Sequence, residues 1–196
     1  MGNFISKLFN KKEEVDAEKL HLAAELCVRN AVLDSHLVAL AASQNQLDSL
    51  QGYLSKNTLV DVNRDLELSK EIKNLESYIS AYQSILGTNF HLKFQNNIDI
   101  NSTIQIYPFI LFPLVQNAIQ FGYNSIVKYP IRIKLSIVGN KIKLEVSNRV
   151  NHHIHSQELT TLISNFKSRL LLLYPDSHEL LINSNTMLFK ATLLVG

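Results

Sequence analysis

Ile106-Tyr107-Pro108-Phe109-Ile110-Leu111-Phe112-Pro113-Leu114-Val115-Gln116-Asn117-Ala118-Ile119-Gln120-Phe121-Gly122 is the stretch on which the fold turns. Pro108 opens it, because a proline ring is already set near the helical φ and a first turn does not need its N–H. From Phe109 to Phe121 the residues are strongly apolar, so the helix is expected to be buried on most sides. Gly122 is placed to end it. An amide at Asn117, deep in such a helix, calls for a partner within the protein or on a ligand.

Outward from this helix the apolar period changes twice. Downstream, Ile131, Ile133, Leu135 and Ile137 alternate, Gly139-Asn140 turns the chain, and Ile142, Leu144 and Val146 alternate back, which spells a hairpin. Gln157 to about Leu173 reads as helix, stopped by Pro175, and a last hairpin closes around Asn183-Ser184-Asn185-Thr186. Upstream, Phe90, Leu92 and Phe94 alternate as a strand, and Thr103 to Tyr107 is a second short one. Before these, Leu68, Ile72, Leu75, Ile79, Tyr82 and Leu86 share one helix face, with Gly87 at its end. Leu22, Leu26, Leu33, Leu37, Leu40, Leu47, Leu50 and Leu54 recur at helical spacing, which predicts one helix of about 40 residues from Glu13 to about Lys56 with a buried leucine stripe.

Composition narrows the chemistry. The 196 residues carry Lys plus Arg 19 against Asp plus Glu 17, a net charge of +2 that argues against a nucleic-acid partner. The six glycines lie far apart, which excludes both the Walker A loop and the GxGxxG fingerprint. A single cysteine, Cys27, forms no internal disulfide and suits a reducing compartment; its place on the helix stripe reads as buried and apolar. No apolar run is long enough to span a membrane. The N-terminal letters Met1-Gly2 to Ser6 fit the myristoylation pattern, and the amphipathic run Phe4 to Phe9 with Lys11-Lys12 behind it suits contact with a membrane surface. His152-His153-x-His155 lacks a fourth ligand at structural spacing, so the loop reads as solvated and no metal site is expected.

The opening stretch resembles the N-box of LytS-type (internal region) histidine kinases, a proline-led apolar helix ending Leu-Val-Glu-Asn-Ala-Ile-Lys-His-Gly. Asn165-Phe166-Lys167-Ser168-Arg169-Leu170-Leu171-Leu172-Leu173-Tyr174 resembles that family's Asn-x-x-x-Arg-Leu-x-x-x-Tyr helix. Leu68-Ser69-Lys70-Glu71-Ile72-Lys73-Asn74-Leu75-Glu76-Ser77-Tyr78-Ile79 is similar to its Leu-x-x-Glu-Ile-x-x-Leu-x-x-Tyr-Ile helix. The matches fall in family order. The resemblance implies an α+β fold: an N-terminal helical hairpin, dimerising to a four-helix bundle, then a GHKL ATPase-like α/β sandwich with a mixed sheet. The implied divisions are 1–12, an amphipathic segment; 13–87, the phosphoacceptor-like hairpin; and 88–196, the ATPase-like region.

Against that pattern the departures are specific. Gln44 stands where the family carries its phospho-acceptor histidine, and an amide nitrogen cannot attack phosphorus. Asn117 keeps the place of the Mg²⁺-holding asparagine, but Gln116 replaces the neighbouring glutamate, and Gln120-Phe121 replaces Lys-His. Asn148 sits where an aspartate recognises adenine. Thr160-Thr161-Leu162-Ile163 replaces the Gly-x-Gly-Leu of the ATP lid, removing the backbone freedom needed to close on phosphates.

The reading is a pseudokinase: a dimeric signalling or docking module of a two-component pathway with no catalytic residue. Its partners would be a second copy and a response regulator or related histidine kinase. It would be cytoplasmic, with membrane contact confined to Phe4 to Phe9. Asn117, Asn148 and Gln116 would form a vestigial nucleotide site, with no cofactor expected. Two alternatives stay open: a histidine phosphotransferase using His36, and a sensor that binds ATP and Mg²⁺ at the Asn117 and Asn148 site without kinase activity.

Overall fold

The computed structural model describes residues 17–99, 102–152, 157 and 160–196. The Phe4 to Phe9 segment and the histidines at 153 and 155 lie outside them. Four helical pieces come first among the described residues: α1 Ala17–Val32, α2 Ser35–Ser43, a 3₁₀ turn Leu47–Leu50 and α3 Gln51–Asn57. There follow β1 Leu66–Glu67, α4 Leu68–Leu86, β2 Leu92–Asn96, β3 Gln105–Ile106 and α5 Phe112–Phe121. The remainder is β4 Gly122–Tyr123, β5 Ile131–Val138, β6 Lys141–Val150, α6 Thr161–Leu173, β7 His178–Ser184 and β8 Leu188–Val195.

The mixed sheet has the order β2-β5-β6-β8-β7, with β4 pairing to β6. Only β2 and β5 run parallel. Ile131, Ile133, Leu135, Leu144, Val146, Phe189 and Leu193 turn to the helical side and are fully or almost fully buried. Arg132, Lys134, Ser147 and Lys190 occupy the alternate positions on the other side. The β5–β6 hairpin turns at Gly139, where φ is +63°. The expected architecture, a helical region followed by an α/β layer with a mixed sheet, is the one found. One apolar core joins the two parts: Tyr78 on α4 packs on Phe112 of α5, and Tyr82 stacks on Phe90.

Three expectations fail locally. The single long helix is broken twice. Asp34 caps α2 by accepting from the His36 and Leu37 N–H groups at 2.9 and 3.2 Å, a bond that competes with continuing α1. Asn45 then takes a left-handed φ of +54°, which ends α2. The leucine stripe is buried only in part: Leu37 and Leu50 lie in the core, with Leu40 and Leu54 packed against it. Leu22, Leu26, Leu33 and Leu47 are exposed, while α1 buries Ala24, Cys27 and Ala31. Finally, Pro108 does not open α5. The helix starts at Phe112 with Pro113 in its first turn, and residues 108–111 form a turn in which Phe109 has φ of +59°.

That turn is held by the three family-like segments together. Both Glu71 oxygens accept backbone N–H groups, from Phe109 at 3.0 Å and Leu111 at 3.1 Å. Arg169 donates to the carbonyls of Pro108 at 2.5 Å and Phe109 at 3.4 Å. Tyr174 accepts from the Tyr107 N–H at 3.1 Å. Glu71 and Arg169 are both buried. Burial pushes the Glu71 carboxyl up to about 7, against the pull of the Phe109 and Leu111 N–H groups and the Arg169 charge.

Candidate functional site

Asn117 lies on the face of α5 turned toward the start of α6, fully buried. Its Nδ2 donates to the Thr160 hydroxyl at 2.6 Å and to the Gln157 carbonyl at 3.2 Å. Its Oδ1 accepts from Gln157 Nε2 at 2.9 Å. Asn148, on β6, completes the cluster through two antiparallel bonds with the Gln157 side chain. Gln157 Nε2 donates to Asn148 Oδ1, and Asn148 Nδ2 donates to Gln157 Oε1, both at 3.0 Å. The second Asn148 hydrogen goes to the Arg149 carbonyl at 2.9 Å. Each of the three carboxamides thus spends both N–H groups and its oxygen inside the protein. All four residues are buried.

Gly122 is what lets Asn148 come this close to α5. A Cβ there would stand 2.1 Å from Asn148 Nδ2 and 2.6 Å from the Ala118 carbonyl oxygen. The glycine that caps α5 therefore also admits the amide of the neighbouring strand. Thr160 does double service as well: besides accepting from Asn117 it is the N-cap of α6, accepting from the Ile163 N–H at 3.4 Å.

Gln116 does not join this cluster. Successive helix residues point about 100° apart, and Gln116 Nε2 donates to the Asn30 carbonyl of α1 at 2.8 Å. Its Oε1 is buried without a partner. Gln120 also faces the helical region and donates to both Asp34 oxygens, at 3.0 and 3.1 Å. Gln44 is exposed at the C-terminal end of α2.

A second polar cluster surrounds Asp34, which is almost fully buried. Tyr78 and Tyr82 donate to its Oδ2 at 2.6 and 2.9 Å. Burial, then the Asp34 charge, pushes both phenols above their ordinary range, so they remain protonated donors. His36 is exposed beside them. Its Nδ1 lies 2.9 Å from the Tyr82 oxygen, and the two rings stack with centroids 6.1 Å apart. Cys27 is buried as expected, and burial pushes its thiol up to about 11, which leaves it unreactive.

The sequence named Asn117 and Asn148 but missed Gln157 and the Asp34–Tyr82 pair. The letters Asp34-Ser35-His36 carry a helix-capping signal, masked by the leucine spacing around them. Gln157 gave no local signal, because its partners lie 9 and 40 residues away. Mg²⁺ takes oxygen ligands, carboxylates foremost. The cluster offers three amides and one hydroxyl, all engaged. Among the described residues no group of three or more His, Cys, Asp or Glu is placed to hold a metal.

No protein-family model and no curated protein matches the sequence. Solved structures do. Histidine kinase AdeS of Acinetobacter baumannii is 12% identical, with a TM-score of 0.48 over 83% of this chain and 82% of that one. The histidine kinase domain of the Erythrobacter litoralis blue-light activated kinase is 14% identical, with a TM-score of 0.47 over 91% and 95%. A structure titled a bacterial phosphotransferase is 8% identical, with a TM-score of 0.48 over 91% and 97%. At such identities the roles of residues rest on this chain's own geometry.

Proposed function

We propose that this chain is a degenerate LytS-type histidine kinase: a dimeric docking module of a two-component pathway whose nucleotide site is closed by its own side chain. Gln157 carries the proposal. Asn148 stands at the position that, by resemblance, recognises adenine. A carboxamide edge sets a donor beside an acceptor, as the adenine edge does, so the Gln157 amide takes the partner that a purine would use. Asn117, at the Mg²⁺-holding position, is engaged by the same residue and by Thr160. The residues present do not fit ATP with Mg²⁺ while this cluster stands.

The division into a hairpin at 13–87 and an ATPase-like region at 88–196 is part of the same reading, as are a cytoplasmic location and a response regulator or related kinase as partner. The exposed leucines of α1 and its flank, Leu22, Leu26 and Leu33, support a second copy as the hairpin's neighbour. Calorimetry with Mg-ATP, on the wild type and on Gln157→Ala, tests the closed site. No heat with the wild type and measurable heat with the variant are expected. Heat with the wild type would reject closure in favour of an ATP sensor. Label taken up from γ-labelled ATP would reject the non-catalytic assignment altogether.

His36 favours a second reading, a histidine phosphotransferase. Tyr82 sends its proton to Asp34, so the His36 Nδ1–H donates to the Tyr82 oxygen. That leaves Nε2 as the nitrogen with the free lone pair, on an exposed ring. Nε2 would attack the phosphorus of an aspartyl phosphate, and the P–O bond to the aspartyl carboxylate would break as the carboxylate leaves. Incubation with a phosphorylated response regulator compares wild type with His36→Ala. Label in the first and none in the second supports this reading; equal label removes it.

A further inference from the structure

The side of the sheet turned away from the helices is a cationic surface. Lys93 stands opposite Arg132, Arg132 opposite Ser147, and Ser147 opposite Lys190, so one row across four strands holds three cations and no acid. Like charges side by side work against a sheet's own stability, which makes an external role the better account of them. Glu145, in the next row, is taken by Lys143 at 3.2 Å and Lys190 at 3.0 Å.

At one end of this face two loop tips meet over a cleft of about 240 Å³. Lys128, Arg132 and Arg149 line it with Tyr129, Met187 and Leu188, and no carboxylate does. The Arg149 guanidinium lies 4.7 Å from the Tyr129 ring centre, and the Lys128 ammonium 5.6 Å from it. The tips carry apolar side chains out into solvent: Val127 is 75% exposed, Met187 54%, Leu188 46% and Tyr129 41%. Both tips are fixed by their own hydrogen bonds. The Tyr129 N–H donates to the Ile126 carbonyl at 3.0 Å, and Asn185 Oδ1 accepts from the Met187 and Leu188 N–H groups at 2.8 Å.

We infer that the Val127–Tyr129 and Met187–Leu188 tips, with the cations behind them, form a docking surface for an anionic lipid bilayer. Protruding apolar and aromatic side chains suit the boundary between headgroups and acyl chains, where a tyrosine has one apolar and one wet end. The cations behind them match the negative potential of an anionic leaflet. A nucleic acid would use the cations but leaves Val127, Met187 and Leu188 without a partner. An acidic protein would pair the cations, but apolar side chains that protrude from two tips suit a fluid boundary better than a fixed partner surface. Asn148 of the Gln157 cluster also lines this cleft, but the proposed contacts are the two tips and their cations, so the surface stands whether or not nucleotide binds.

Co-sedimentation of the full chain with vesicles tests it. Vesicles of phosphatidylcholine with about one third phosphatidylserine are expected to bind the protein, and phosphatidylcholine alone to bind far less. Salt weakens the binding. Lys128→Gln and Arg132→Gln each lower the partition coefficient about fivefold, with unfolding midpoints not lowered, because both side chains are at the surface. The chain has no tryptophan, so Met187→Trp supplies a single reporter whose emission shifts to the blue as it enters the boundary. Equal binding to both vesicles, or an unshifted Met187→Trp spectrum, overturns the proposal. So does a loss that follows only Lys11→Gln and Lys12→Gln, or retention of a single-stranded oligonucleotide or an acidic polypeptide without vesicle binding.

Discussion

The Glu71–Arg169 clamp and the Gln157 cluster both bury polar side chains beside α5, but with opposite materials. The clamp uses two ionisable groups on backbone N–H and C=O groups, and it holds a turn with a left-handed phenylalanine. The cluster uses neutral amides on one another, with no group left over. The three segments that carry the family resemblance converge on the clamp, whereas the cluster joins Asn117 of α5, Asn148 of β6 and Thr160 at the start of α6 through Gln157.

Breaking the clamp is expected to have the largest effect. Glu71→Ala leaves the Phe109 and Leu111 N–H groups buried without their acceptor, at about 1–3 kcal/mol each. Urea unfolding measures it, and a loss below about 1 kcal/mol would remove the clamp's structural role.

The pH dependence comes next. Burial raises the folded carboxyl to about 7 from an ordinary 4.5, so the fold holds that proton more tightly than the unfolded chain does. Its contribution to stability is complete below about 4.5 and is lost as pH rises through about 7. Urea midpoints should therefore be higher at acidic than at alkaline pH, and Glu71→Gln should flatten the difference. Equal wild-type midpoints on both sides of neutrality would break this point.

Gly122→Ala sharpens the other half of the comparison. Its Cβ would displace the Asn148 amide, at about 1–3 kcal/mol. The Asn148 side-chain amide resonances should shift while those of the Phe109 turn stay in place. Thr160→Val is the mildest change: it removes one acceptor and one helix cap, at about 1 kcal/mol. Thermal unfolding reads it, and a neutral result would mean that Asn117 is satisfied without the hydroxyl.

Much of the frame was legible locally. The Ile131 to Val146 hairpin follows from strict alternation and a glycine turn, and α4 from its spacing and Gly87. The errors came where side chains overrule spacing. Asp34 competes with the helix for backbone N–H groups, and so splits what the leucines alone would make continuous. Leu22 and Leu26 then face outward, because small Ala24, Cys27 and Ala31 allow α1 to lie close against α6.

Sequence by itself determined the order of the elements, most of them from α4 onward, and the polar residues held among apolar ones, since periodicity and capping act over a few residues. Tertiary structure alone decided what those polar residues do. Gln120 reaches Asp34 across 86 positions, and Gln157 reaches Asn117 across 40. A buried amide must find a partner somewhere, but only the folded chain selects which, and here it selected another part of itself.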